Sequence, residues 1–187
     1  IRSTMQLQRQ WQLFRCIMQY YLTNLILLFL EEGYQTIFNA MNKCCGSDSK
    51  WVIQQWQWED FQALSLNAVP AGRLIVLDLF SDGNPAFEHY NGYAPQHAVY
   101  CSIPNFGGRT GFFGRIPRMG HDYFAFKAKY PQIKGIGAAP EAIEQTPVVY
   151  DFLFELPWMR KEPDPVDWIM QYADSRYGKE DANVREA

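Results

Sequence analysis

Two glutamates, Glu141 and Glu144, follow a run of small and apolar residues in the segment GIGAAPEAIEQTPVVYD, residues 135–151. A carboxylate at the end of such a run can serve as a nucleophile or as a general acid or base. The same place is also ordinary for an acid at the amino end of a helix, where the helix dipole favours negative charge. Both interpretations of Glu141 stay open at this point. Glu144 lies inside the predicted helix and is expected to be a first-turn residue.

Polar and aromatic residues also end the other apolar runs of the sequence. Gln54 and Trp56 close the first run, Asp78 lies within the second, and Asn105 follows the third. Aromatic faces and amide groups of this kind hold the ring and the hydroxyls of a sugar, so these four residues are expected to line a sugar pocket. Asp78 has an equally weighted alternative, a buried acid that supports the site from behind. In either role a buried carboxylate needs partners.

The sequence lacks the motifs that several other kinds of binding site require. The glycine-rich stretch NFGGRTGFFG, residues 105–114, has neither the G-K-[ST] of a P-loop nor the spacing of a dinucleotide fingerprint. The three histidines have no metal-ligand spacing, and the four cysteines form no C-x-x-C pair and are expected to be buried thiols. The net charge of -3 argues against a nucleic-acid surface. We therefore expect no metal, no cofactor and no nucleic-acid partner.

The elements that must position these residues follow from the hydrophobic pattern. Four short apolar segments bounded by Gly, Pro, Asn or Asp are typical of buried parallel strands: residues 51–56, 74–80, 98–103 and 133–139. Helical patterns alternate with them, including residues 59–68 and 119–130. In parallel α/β sheets ligands bind at the carboxyl ends of the strands, where the polar residues named above stand.

Flanking segments are expected to be helical. Residues 31–43 have apolar positions at three- and four-residue steps, and the apolar stretch 16–30 is too short and too polar for a membrane span, so it is expected to be a buried helix. A helix at 142–156 is expected to stop at Pro157. Asp164 and Pro165 resemble the cap and first position of a last helix that runs to Gly178.

Four motifs in order resemble the catalytic domain of the alpha-N-acetylglucosaminidase family of glycoside hydrolases: WVIQQWQW, GRLIVLDLF, YCSIPNFGGRTGFFG and APEAIEQTPVVYDFLFELPW. The resemblance covers roughly residues 33–178. It implies an α/β fold, the later half of a (β/α)₈ TIM-like barrel, followed by the start of an all-helical domain. On this basis residues 33–160 are assigned to the barrel, residues 161–187 to the helical domain, and residues 1–32 to neither.

The resemblance also implies roles for individual residues. Glu141 matches the catalytic nucleophile of a retaining enzyme that hydrolyses terminal α-linked N-acetylglucosamine, and Gln54, Trp56 and Asn105 match residues of the sugar pocket. Pro104 and Ala142 depart from the family pattern, which leaves the fine contacts open. The family's general acid is in an upstream NE motif, whereas residues 1–30 contain no Asp or Glu. As the explanation for the missing general acid, a frameshift is favoured over a truncated gene or reliance on another fragment.

Two functions follow as expectations. The first is a fragment of an exo-glycosidase acting on glycans that end in α-linked N-acetylglucosamine, inactive alone and dependent on a missing amino-terminal half of the barrel. The second is a catalytically inactive carbohydrate-binding or scaffold fragment. No membrane partner is expected, and the family resemblance implies an exported, periplasmic or lysosomal location.

Overall fold

A computed structural model of the chain describes residues 2–56, 61–105, 114–141, 143, 145–178 and 180–183. The helices and strands occur in this order along the chain: α1 Arg2–Cys45, β1 Trp51–Gln55, α2 Phe61–Ala68, β2 Leu74–Asp78, β3 His97–Ser102, α3 Ile116–Lys129, β4 Ile133–Ala138, α4 Pro147–Glu155 and α5 Pro165–Tyr177. The chain divides into two compact units. The first comprises residues 1–49 and 60–71, and the second comprises residues 50–59 and 72–187.

The first unit contains α1 and α2. The two helical segments expected before residue 43 form one continuous helix, α1, and Gly33 does not interrupt it. The helix ends at Gly46, whose φ of 94° is a left-handed conformation that favours glycine. Leu25 and Phe29 are 66% and 75% exposed, so the prediction that residues 16–30 form a buried helix was wrong. Across the described residues, no helix is long and apolar enough to span a membrane.

The second unit contains a four-stranded sheet in the order β1-β2-β3-β4, in which every neighbouring pair is parallel. This confirms the four predicted strands and their direction. Gln55 pairs with Asp78 and Asp78 with Tyr100, so the strands are in close register at their carboxyl ends. The sheet therefore has one common carboxyl edge, as a parallel α/β arrangement requires.

One face of the sheet, here called the covered face, is buried beneath helices and loops. Its members in β2 and β3 alternate along the strands, and each is at most 2% exposed: Leu74, Val76, Asp78, Ala98, Tyr100 and Ser102. Phe87, from the segment after β2, lies 6.3 Å from the Tyr100 ring and 5.5 Å from that of Phe126 in α3. Tyr123 of α3 contacts Tyr100 edge to face. This aromatic cluster forms the core of the unit.

The opposite face, here called the open face, is not buried in the same way. Most of its members are partly or largely exposed, namely Val52, Gln54, Ile75, Leu77, His97 and Val99, whereas Cys101 is 3% exposed. A Cβ built on Gly135 of β4 would meet nothing within 4 Å. The sequence predicted strands buried on both faces, and only one face meets that expectation. In a closed barrel the second face is covered by strands on the other side of the barrel, and this sheet has four strands among the described residues.

The segments after β4 complete the covered face. Phe152 of α4 is fully buried and its ring contacts Trp168 of α5 at 4.9 Å, which places α5 in the same compact unit as the sheet. As predicted, Asp164 caps α5, since its Oδ1 accepts hydrogen bonds of 2.9 Å from the backbone N–H groups of Val166 and Asp167. The helix ends at Gly178 in a left-handed conformation. The expected buried thiol is confirmed for Cys101, whereas Cys44 and Cys45 are exposed.

Replacing Phe87 by alanine is expected to lower the free energy of unfolding by about 3–5 kcal/mol, because the ring is fully buried and leaves a cavity. Urea denaturation followed by circular dichroism measures this. Phe154→Ala is the matched control, since that ring is 49% exposed, and it should cost far less. Equal losses in the two variants would contradict the aromatic core described above.

Candidate functional site

The carboxyl edge of the sheet gathers most of the residues singled out from the sequence. Trp56 directly follows β1, Asn105 lies three residues after β3, and Glu141 lies three residues after β4. Gln54 is the penultimate residue of β1 and lies on the open face. Because the strands are parallel and adjacent, these side chains arise at one edge of one sheet. This is the arrangement that a site at the end of a barrel requires.

The four candidate residues at this edge differ in how far their side chains are exposed. Glu141 and Gln54 are exposed, Trp56 is half-buried, and Asn105 is 6% exposed. Helix α4 begins at Pro147, because proline is favoured in the first turn, where its missing N–H costs no hydrogen bond. The helix predicted to begin at residue 142 therefore begins later, and Glu141 lies in the preceding loop rather than at a helix terminus. The expectation for Glu144 concerns a residue outside the described ranges.

Asp78 is placed differently from the other candidates. It is 2% exposed, lies on the covered face, and pairs in register with Tyr100. Its Oδ2 accepts hydrogen bonds from the backbone N–H of Ala86 at 2.9 Å and from the Tyr93 hydroxyl at 3.1 Å. Burial raises the pKa of Asp78 to about 7, although these hydrogen bonds act in the opposite direction. The buried acid has the partners that the sequence required, and they come from the segment after β2.

Ser81 and Asp82 join the ends of β2 and β3, and the sequence analysis did not single them out. The Ser81 hydroxyl donates to the Asp78 carbonyl at 2.7 Å and accepts from the Cys101 N–H at 3.3 Å. Asp82 is 1% exposed, and its Oδ1 accepts from the Ile103 N–H at 3.2 Å. Burial raises the pKa of Asp82 as well. The sequence signal was a second acid directly after a buried strand, in DLFSDG.

Arg115 and Phe80 connect this buried acid to Trp56. The Arg115 guanidinium lies 3.5 Å from Asp82 Oδ2 and 4.9 Å from the centre of the Phe80 ring. The Phe80 ring centre lies 6.3 Å from that of Trp56. Arg115 has a φ of 44°, an uncommon conformation for a residue with a side chain, immediately before α3. A chain of contacts therefore runs from the end of β3 to the aromatic residue after β1.

The described residues contain no cluster of metal ligands. Within the residues that the structure describes, no group of three or more His, Cys, Asp and Glu side chains is placed to hold a metal ion. Burial raises the pKa of the Cys101 thiol to about 12, so this cysteine is protonated at neutral pH and unsuited to act as a nucleophile. The carboxylate of Glu141, by contrast, is exposed in the loop after β4.

Asp78→Asn is expected to alter how stability depends on pH. The folded-state pKa is raised above the ordinary value of 3.8, so the native state holds a proton that the unfolded state loses, and stability falls as pH rises from about 4 to about 7. The slope from this group is about 1.4 kcal/mol per pH unit at most. Asparagine should remove that slope in chemical denaturation across this pH range. An unchanged slope in the variant would rule out Asp78 as its source.

Gly83→Ala is expected to disturb the contacts of Phe80 with Arg115 and Trp56. A Cβ at this position would lie 2.1 Å from the Phe80 ring and 2.6 Å from Arg115 Nη1. We expect a loss of about 1–3 kcal/mol in the free energy of unfolding and altered Trp56 fluorescence, read against a Trp56→Phe background. Gly135→Ala is the matched control, because its Cβ would meet nothing within 4 Å. Equal effects of the two changes would contradict the described packing.

Comparison with known proteins places these features in a family. Residues 18–160 match the family model of the alpha-N-acetylglucosaminidase (NAGLU) TIM-barrel domain. The match begins earlier than residue 33, from which the sequence resemblance was expected to run. The chain is 33% identical over 162 residues to the alpha-N-acetylglucosaminidase of Homo sapiens, covering 80% of this chain and 21% of the human protein.

Solved structures agree with this match. The chain resembles a family 89 glycoside hydrolase from Clostridium perfringens in complex with 2-acetamido-1,2-dideoxynojirmycin, with a TM-score of 0.76, 29% identity, and coverage of 84% of this chain and 18% of that one. A second structure of the C. perfringens enzyme, with two glutamates replaced by glutamine, holds its substrate GlcNAc-alpha-1,4-galactose, and has a TM-score of 0.76 and 28% identity, with the same coverage.

The chain spans about a fifth of the length of these relatives. The family model nevertheless covers most of this chain, and its description as a barrel domain agrees with the four parallel strands and their helices. The chain therefore belongs to the alpha-N-acetylglucosaminidase family of glycoside hydrolases, as a part of its TIM-barrel domain.

Proposed function

We propose that this chain carries the nucleophile part of the active site of a retaining exo-glycosidase, which removes terminal α-linked N-acetylglucosamine from glycans. The observation that carries the proposal is the exposed carboxylate of Glu141 in the loop after β4, at the edge where Gln54, Trp56 and Asn105 also arise. In parallel barrels, catalytic groups come from the ends of several different strands at this edge. The substrate class follows from the family and from the glycan bound by the C. perfringens relative.

The mechanism assigned to Glu141 is covalent. Its carboxylate attacks the anomeric carbon, the bond to the aglycone oxygen breaks, and water later releases the sugar from the enzyme with net retention. Trp56 is half-buried and offers one ring face to the apolar side of the sugar, while the amides of Gln54 and Asn105 hydrogen-bond its hydroxyls. Asp78 stands behind this pocket and supports the segment after β2.

A second carboxyl group is needed about 5–5.5 Å from the nucleophile to protonate the leaving oxygen. The proposal assigns this general acid to a part of the barrel outside the present chain, because residues 1–30 contain no Asp or Glu. The C. perfringens complex with its substrate has two glutamates replaced, which agrees with a pair of carboxyl groups in that relative. Without its general acid the chain should be slower by about 10²–10⁴-fold.

A second candidate function is binding of N-acetylglucosamine without turnover. The observation that favours it is the same lack of acids in residues 1–30, together with the retained Trp56, Gln54 and Asn105. A pocket can hold a sugar through stacking and hydrogen bonds without either catalytic carboxylate. The two functions differ in whether Glu141 is required. Hydrolysis needs its carboxylate, whereas binding of the sugar does not.

We predict that Glu141→Gln abolishes the residual hydrolysis of an aryl α-N-acetylglucosaminide, a substrate whose good leaving group needs little protonation. Glu162→Gln is the matched control, because this exposed glutamate pairs with His121 of α3 and has no part in the proposed mechanism, so its change should leave turnover intact. Titration with N-acetylglucosamine by calorimetry reports binding in parallel.

Each outcome of these two measurements decides between the functions. Turnover that is lost only in Glu141→Gln supports the glycosidase, and turnover that survives this change contradicts the assigned nucleophile. Binding without any turnover in the unmodified chain supports the second candidate. If the unmodified chain binds no N-acetylglucosamine and hydrolyses no aryl glycoside, both functions fail for this chain.

A further inference from the structure

The Phe80 ring contacts a cation and a second aromatic ring at the carboxyl edge of the sheet. Its centre lies 4.9 Å from the Arg115 guanidinium and 6.3 Å from the centre of the Trp56 ring, with the two ring planes tilted by 33°. Both distances are within the range over which an aromatic ring attracts a cation or another ring. The position of the Phe80 ring is therefore coupled to both of these neighbours.

We propose that Arg115 is a positioning residue that fixes the ring of Trp56 through Phe80, and thereby sets how Trp56 meets the sugar. The inference deepens the function proposed above and rests on it for the role of Trp56 beside the sugar. Arg115 is assigned no part in the chemical step. Its effect is transmitted by a neighbouring ring, which is what the experiments below distinguish.

The backbone of Arg115 is held at the start of α3. Its carbonyl accepts a hydrogen bond of 2.8 Å from the Met119 N–H, and the side chains of Ile116 and Met119 are buried. Arg115 itself has a φ of 44°, a conformation that residues with a side chain adopt only where the surrounding structure imposes it. The side chain therefore starts from a fixed point.

The guanidinium of Arg115 is held by Asp82. The Asp82 side chain is 1% exposed, and its two oxygens have different partners: Oδ1 accepts from the Ile103 N–H at 3.2 Å, and Oδ2 lies 3.5 Å from Arg115 Nη1. Since the Arg115 side chain is only 22% exposed, solvent screens this pair less than it screens a surface pair. The cation is thus tied to the end of β3 as well as to α3.

The backbone of Gly83 confines the Phe80 ring from another direction. A Cβ at this glycine would lie 2.1 Å from the tip of the Phe80 ring and 2.6 Å from Arg115 Nη1. The ring and the guanidinium therefore occupy the space that a side chain at position 83 would need. Phe80 is packed against a backbone segment, a held cation and Trp56, so its ring has little freedom to turn away from Trp56.

Trp56 is the residue whose orientation matters for a ligand. It directly follows β1, so strand pairing sets where its backbone lies but does not select its side-chain rotamer. Stacking against a sugar requires that one ring face be presented to the apolar side of the sugar. A ring already held in that orientation loses less conformational freedom when the sugar binds, which strengthens binding.

The first test measures the position of Trp56 without any sugar. Because the chain has six tryptophans, the signal of Trp56 is taken as the difference in near-UV circular dichroism between each protein and the same protein carrying Trp56→Phe. Arg115→Ala and Phe80→Leu should each weaken this difference, because each removes a contact that holds the ring. Phe80→Leu keeps the pair of Arg115 and Asp82, so it breaks the link without leaving a buried carboxylate unpaired.

Arg118→Ala is the matched control for Arg115→Ala. Arg118 is an arginine of the same helix that also pairs with an aspartate, Asp122, at 3.0 Å, but its side chain is 51% exposed and its partner is one turn further along α3. Its loss should leave the Trp56 difference unchanged. Far-UV circular dichroism of every variant shows whether the fold is retained.

The second test is a double-mutant cycle on the affinity for N-acetylglucosamine, measured by calorimetry. Arg115→Ala should raise the Kd by about two- to fivefold in the unmodified chain, the range that corresponds to an exposed cation–π contact. In a Trp56→Ala background the same change should have no further effect, because the ring through which Arg115 acts is gone. A general structural effect of Arg115 would instead raise the Kd equally in both backgrounds.

The outcomes separate this proposal from the function on which it rests. An unchanged Trp56 difference in Arg115→Ala overturns it, as does an equal change in Arg118→Ala. A rise in Kd that is the same with and without the Trp56 ring also contradicts it. If the unmodified chain binds no N-acetylglucosamine, the proposed function fails, whereas the Trp56 difference still determines whether Arg115 fixes that ring.

Discussion

The buried carboxylate of Asp78 is the interaction on which the described unit depends. By accepting hydrogen bonds from the Ala86 N–H and the Tyr93 hydroxyl, it fixes the segment after β2 against the covered face. That segment supplies Phe87 to the aromatic core and Asp82 to the end of β3. The ends of two strands are therefore held by side chains as well as by the sheet, and the residues that follow them start from fixed positions.

The sequence predicts features that depend on neighbouring residues better than features that depend on distant ones. The four strands and the cap of α5 follow from local patterns, and all were confirmed. The side of the sheet on which Asp78 lies depends on its pairing with Tyr100, which no local pattern gives. Likewise, the link from Asp82 through Arg115 to Trp56 joins residues from three separate stretches of the chain. The open face was missed because an apolar run alone does not show how many faces are covered.

The two faces of the sheet differ in burial, and the residues of the proposed site lie apart from the aromatic core. The covered face carries the aromatic core, and its acid is satisfied by the unit itself. The open face and the carboxyl edge carry Gln54, Trp56, Asn105 and Glu141, whose proposed ligand requires groups from a larger barrel. A unit of this kind can have a well-packed core while the proposed site lacks its remaining groups, because the core lies on the covered face whereas the candidate residues follow the strands or, for Gln54, lie on the open face.

The parallel order of the sheet also has a consequence for the time during which the polypeptide is synthesised. From the start of β1 to the end of β4 the chain runs through residues 51–138. At about 5–20 residues per second, a ribosome needs about 5 to 20 s to make a stretch of this length. Until β4 has left the ribosome the sheet lacks its last strand, so the apolar side chains of β1–β3 are accessible to chaperones during that time.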